Sequence, residues 1–176
     1  EKLSVVFQDY SRSLLPWMTV AQNIELPLKE KRFPAADRAE KIQEALVNVG
    51  LEGKGHLYPW EMSGGMQQRA AIARGLAYQP DVLIMDEPFA ALDTASSAAL
   101  RSIVAGRIQG LTTVLVTHDL IDVLILAGRV AVLDGGRLAT IGATDAASID
   151  AALAADNTSK GGEFAAQAKA SIPHAG

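Results

Sequence analysis

The run Val82-Leu83-Ile84-Met85, followed at once by Asp86-Glu87-Pro88, constrains this chain more than any other stretch. An unbroken apolar run this short suits a strand buried on both faces of a parallel sheet. Ligands of such sheets bind just beyond the carboxyl ends of the strands. Asp86 and Glu87 are therefore expected at a sheet edge where a nucleotide could sit. The competing reading is a buried strand that ends in two ordinary surface acids.

A second stretch lies about twenty residues upstream. Ser63-Gly64-Gly65-Met66-Gln67-Gln68-Arg69 reads as the opening of a helix that runs to about Tyr78. Ser63 is a good N-cap, and Met66, Ala70, Ala73 and Ala77 recur at helical spacing. Two glycines behind the cap would let a phosphate approach bare backbone N–H groups, where the helix dipole favours negative charge.

Together these stretches resemble the ATP-binding-cassette (ABC) ATPases. Glu61 to Arg69 is similar to that family's signature motif, and Val82 to Pro88 to its Walker B strand with the catalytic glutamate. Ala91-Leu92-Asp93 resembles the D-loop, His118 after Thr113 to Thr117 the switch histidine, and Gln8 after Leu3 to Phe7 the Q-loop glutamine. The likeness covers residues 3 to 141. Met62 and Met66 stand where leucine and glutamine are usual. Phe7 to Val20 resembles ATPases of nitrate, sulfonate and taurine importers, whereas the part after Asp93 is closer to those of molybdate importers. A joint between two sources near Ala90 to Asp93 is one reading of that shift.

The resemblance implies an α/β fold: a partial P-loop NTPase core with a mostly parallel sheet flanked by helices, and a helical subdomain. Residues 1–10 would start the core, 11–78 form the helical subdomain and signature helix, 79–142 continue the core, and 143–176 form a tail. It implies Glu87 as general base, His118 bridging toward the γ-phosphate, and Gln8 reaching Mg²⁺ or the attacking water. Asp86 would hold Mg²⁺. Ser63, Gly64, Gly65 and Gln67 would bind ATP held by an opposite copy, with Asp93 at the dimer contact. The implied partners are a second ATPase subunit and membrane permease subunits reached through the Q-loop and the segment after it. The implied place is the cytoplasmic face of the inner membrane.

Bulk properties agree. A chain of 176 residues can bury a core of its own, and 49% hydrophobic content is ordinary for a globular α/β protein. The net charge of −4 argues against a nucleic-acid surface, which needs a basic stripe. That disfavours the alternative of a soluble ABC ATPase of repair or translation. There is no cysteine, hence no disulfide and no thiolate metal site. The longest membrane-span candidate, Leu120 to Leu133, is broken by Asp122 and Arg129.

Taken in order, Leu3 to Phe7 reads as a strand. No Gly-x-x-x-x-Gly-Lys-Ser/Thr occurs, Gly53-Lys54-Gly55 being the nearest lookalike. That loop cradles the β- and γ-phosphates. The expectation is a chain truncated ahead of the Q-loop that binds ATP weakly and turns over little alone, and a non-catalytic fragment limited to protein contacts is a further alternative. Burial statistics place Trp17 in a core, whereas the resemblance places it at the permease contact. Thr19 is expected to cap a short helix ending at Pro27, and Pro34 to begin another whose apolar face is Ala35, Ala39, Ile42, Leu46 and Val49, stopped by Gly50. His56 has no second ligand at metal spacing and reads as a solvated loop residue. Asp93 should cap a helix to about Ile108 with Leu100, Val104 and Ile108 inward. Thr113 to Thr117 reads as a second buried strand, Asp119 to Ala127 as a helix, and Val130 to Leu133 and Arg137 to Ile141 as a hairpin about Asp134-Gly135-Gly136. From Ala143 onward 12 of 34 residues are alanine, which predicts one weak helix near 145 to 155 and then a mobile tail.

Overall fold

The computed structural model describes residues 2–9, 13–134 and 136–144. The weak helix and tail expected beyond Ala143 fall almost wholly outside them. The chain divides into two compact units, Glu1–His118 and Asp119–Gly176.

In the first unit β1 (Leu3–Val6) is followed by helices α1 (Val20–Glu30), α2 (Ala35–Asn48) and α3 (Gly64–Ala77), then by β2 (Val82–Asp86), α4 (Thr94–Arg107) and β3 (Thr112–Val116). The three strands form one parallel sheet with β2 in the middle, Val5 opposite Ile84 and Ile84 opposite Val114. All three carboxyl ends therefore lie along one edge. Helix α3 lies against β1 so closely that a Cβ on Gly75 would come within 3.0 Å of a Val6 methyl.

One face of the sheet is well covered: Val6, Leu83 and Met85 are buried. The other is not. Val114 and Val116 are about half exposed, as is Leu3. Strands β2 and β3 were expected to be buried on both faces, and this is corrected by the structure. Among the described residues, alternate side chains of β3 stand open, because a parallel sheet becomes two-sidedly apolar only where helices lie on both faces.

The helical part is an amphipathic cluster in which α1, α2 and α3 pack on one another. Thr19 and Gln22 form a reciprocal capping box at the start of α1. Contrary to the sequence expectation, α1 does not stop at Pro27 but runs through it. An internal proline costs about 3 kcal/mol. Ile24 and Leu28 on either side of it are fully buried, each contributing about 1.5–3 kcal/mol, so continuing the helix wins. Pro34 stands one place earlier than expected, as N-cap of α2. Ile42, Leu46 and Val49 are buried as the pattern required, but Ala35 and Ala39 are exposed, since a methyl gains little from burial. Gly50 ends the helix at φ +66°.

The second unit holds a short helix, α5 (Leu120–Leu126), capped by Asp119, and the antiparallel strands β4 (Arg129–Asp134) and β5 (Arg137–Ala143). Asp134 pairs with Arg137 and so belongs to β4, one residue beyond the expected strand end, while Gly135 of the expected turn lies outside the described residues. No helix among the described residues is long and apolar enough to cross a membrane.

Candidate functional site

The parallel register carries Gln8, Glu87 and His118 to one edge of the sheet. Gln8 stands two residues beyond β1, Glu87 one beyond β2 and His118 two beyond β3. Asp86 is the last residue of β2, opposite Val116 and half-buried.

Glu87 and His118 meet directly. The Glu87 carboxylate accepts a hydrogen bond from the His118 backbone N–H at 3.0 Å, and the same oxygen lies 2.6 Å from His118 Nδ1. An ionised carboxylate can only accept, so this contact calls for the proton on His118 Nδ1. The Glu87 side chain is 15% exposed and that of His118 72%. A largely sheltered carboxylate thus orients an imidazole that reaches into solvent.

The Glu87 backbone is unusual. Its φ is +44°, in the left-handed region that costs a non-glycine residue about 1–2 kcal/mol. Arg32 and Gln79 share that conformation, but each follows a helix end, where it is the ordinary way to close the last turn. Glu87 follows a strand. Its own N–H donates to Val116 O at 2.9 Å, which holds the kink against β3. A strained non-glycine residue at the carboxyl end of a central parallel strand is a candidate functional position.

The second half of the constellation is the start of α3. Ser63 caps the helix, its hydroxyl accepting from Met66 N–H, and Gly64 and Gly65 are its first two residues. Gln67 turns its amide back onto Met62 O at 3.1 Å. Gly65 has a role the sequence did not reveal: a Cβ there would stand 3.1 Å from Leu92 Cδ2 and 3.4 Å from Ala91 O. The helix mouth therefore packs against the Ala91-Leu92-Asp93 turn of its own chain. Asp93 caps α4, and the Ser96 side chain and backbone N–H hold its carboxyl below the ordinary carboxylate range.

The carboxylates of this edge, Asp86 and Glu87, are hard oxygen ligands, with the His118 imidazole held against Glu87. Among the described residues no three His, Cys, Asp or Glu side chains cluster as a metal cage. A carboxylate at the strand end is the ligand type of Mg²⁺, which takes one or two carboxylates and fills its other positions with water and phosphate oxygens. Asp86 at the strand end fits such a role. His56 is exposed, as expected of a loop residue. Trp17 is 68% exposed, so it does not fill a core as burial statistics placed it. Trp60, also largely exposed, stacks on Tyr58 at 4.5 Å just ahead of Ser63.

Gln68 was not singled out in the sequence. It is 1% exposed and its amide donates to Pro88 O at 3.0 Å. The legible signal was a polar residue on the stripe Gln68, Ala71, Ile72 and Gly75, which is otherwise apolar and buried.

Residues 1–90, half of the chain, match the family model described as ABC transporter. A nitrate import ATP-binding protein of Synechocystis sp. is 44% identical over 142 residues, covering 78% of this chain and 21% of that protein. A sulfate/thiosulfate import ATP-binding protein of Caulobacter vibrioides is 45% identical over 151 residues, covering 82% and 44%. The chain thus spans less than half the length of these curated relatives. A solved dimeric post-hydrolysis state of an ATP-binding cassette, bound to ADP and Pi, superposes with a TM-score of 0.73 at 31% identity, over 82% of this chain and 64% of that one.

Proposed function

The chain belongs to the ABC transporter family, and on that premise we propose that it is part of an ATP-hydrolysing subunit that drives import of a small solute through a membrane permease. The observation that carries this reading is the strained Glu87 at the end of β2, hydrogen-bonded to His118 at the same sheet edge.

In this reading Glu87 takes a proton from the water that attacks the γ-phosphate. Its carboxylate is already oriented by the His118 N–H, so little rearrangement precedes the step. His118 presents Nε2 toward the departing phosphate. Asp86, with Gln8 on the same edge, would hold Mg²⁺, which would neutralise charge on the phosphate oxygens when bound. Ser63, Gly64, Gly65 and Gln67 receive the γ-phosphate of ATP on an opposite copy at the mouth of α3. Asp93 lies at the contact between copies. The dimeric state of the solved neighbour supports this two-chain arrangement. The exposed Trp17, on the segment that follows Gln8, supports a permease contact. The cytoplasmic membrane face follows as the place of action.

The solute is proposed only as a small anion such as nitrate, sulfonate or taurine, from the likeness of Phe7 to Val20 to importers of that group. The test is Glu87→Gln in the whole subunit that carries this chain, assembled with its permease. ATP turnover should fall by at least a hundredfold while nucleotide binding stays. Turnover within twofold of the unaltered protein would remove Glu87 from the role and the reading with it.

A further inference from the structure

Building on the reading above, we propose that Gln68 is a positioning residue that ties the anion-receiving mouth of α3 to the carboxylate at the end of β2. Gln68 is buried in α3, five residues past the Ser63 cap. Its Nε2 donates to the carbonyl of Pro88, the residue after Glu87. That carbonyl can only accept, so the orientation of the amide is fixed by chemistry. The price is visible on the other side of the same group: Gln68 Oε1 is buried and has no hydrogen-bond partner among the described residues. A methionine of similar volume would fill the space without a stranded amide oxygen, but it would take the donor away from the Pro88 carbonyl. What glutamine supplies there is the directional bond to Pro88.

The Pro88 turn is gripped from more than one direction. Arg101 of α4 lies over the Phe89 ring at 5.4 Å, and Ala90 N–H closes back onto Glu87 O at 3.3 Å. Gly65, at the mouth of α3, touches Leu92 and Ala91. Helix α3 thus meets the 88–92 turn at both Gly65 and Gln68. In the two-chain arrangement α3 faces a nucleotide held by the opposite copy, whereas Glu87 serves the nucleotide of its own chain. Gln68 then lies on the path between two sites, so that seating a phosphate on α3 sets the position of Glu87 in the other. Coupling needs such a contiguous packed contact, and its reality is a matter of measured linkage.

The test uses Gln68→Met, which removes the donor and keeps the volume. In the 176-residue chain, amide hydrogen exchange at Glu87, Ala90 and Leu92 should quicken about tenfold while amides of α1 and α2 stay unchanged. In the whole subunit with its permease, kcat should fall about tenfold at unchanged KM for ATP, the pattern of a misplaced group and not of lost binding. Should the methionine variant fail to fold, Gln68→Asn, which withdraws the amide by one methylene, is expected to show the same split. A kcat within twofold of the unaltered subunit in the folded variant overturns the inference, whatever the exchange shows. Glu87→Gln run alongside separates the two claims. If it abolishes turnover and Gln68→Met does not lower it, only the positioning role falls. If Glu87→Gln leaves turnover intact, the reading of the site falls and the coupling with it.

Discussion

Asn23→Ala should be among the most damaging single changes in the helical part, and the hydrogen bonds say by how much. Asn23 is fully buried in α1. Its Oδ1 accepts from Leu15 N–H at 2.8 Å, and its Nδ2 faces the carbonyls of Leu15, Met18 and Thr19 at 3.0–3.1 Å. Two of those carbonyls keep another partner after truncation: Leu15 O still receives Met18 N–H, and Thr19 O still receives Asn23 N–H. The Leu15 N–H and the Met18 carbonyl do not. Each part-buried group left bare costs about 1–3 kcal/mol, so the sum is about 2–4 kcal/mol once partial access of water to the loop is allowed for. For a unit of this size that lowers the melting temperature by roughly 8–16 °C. Thermal unfolding followed by circular dichroism reads the shift, and hydrogen exchange at Leu15 and Met18 shows whether the loss begins in the loop. A shift below about 3 °C would mean that water replaces the amide at no cost, and the account of Asn23 as the clasp of residues 15–19 would be wrong.

Two further changes test other parts of the fold. In Gly75→Ala the new methyl meets Val6 Cγ2 at 3.0 Å and Ser4 Oγ at 3.3 Å; the overpacking, about 1–3 kcal/mol, should exceed the helix-propensity gain of about 1 kcal/mol, and a urea midpoint that rises instead would show that β1 can retreat. The lowered Asp93 carboxyl contributes stability above the ordinary aspartate range and loses it as pH falls through its folded value, so the melting-temperature gap between the protein and Asp93→Asn should narrow between about pH 5 and pH 3; a constant gap would refute the charge-assisted cap.

Much of the site could be read without coordinates because it is written locally. Ser63 and its two glycines announce a helix start. Val82 to Glu87 announces a strand end, and the parallel register needed only chain order to bring Gln8, Glu87 and His118 to one edge. What escaped is what depends on packing between distant segments. Pro27 reads as a stop until the burial of Ile24 and Leu28 is known. Gly65 reads only as room for a phosphate until Leu92 is also found where its Cβ would stand. Gln68 reads as one more polar helix residue until Pro88 O appears opposite its amide. The open face of β3 was invisible for the same reason, since an apolar run announces that burial is wanted and not what supplies it.

The left-handed backbone of Glu87 carries one more consequence. Glycine or asparagine would rest more easily at that φ. Libraries of this chain sorted only for yield or heat tolerance should therefore drift toward those two residues at position 87, and the winners would be well-behaved proteins without the carboxylate that meets His118.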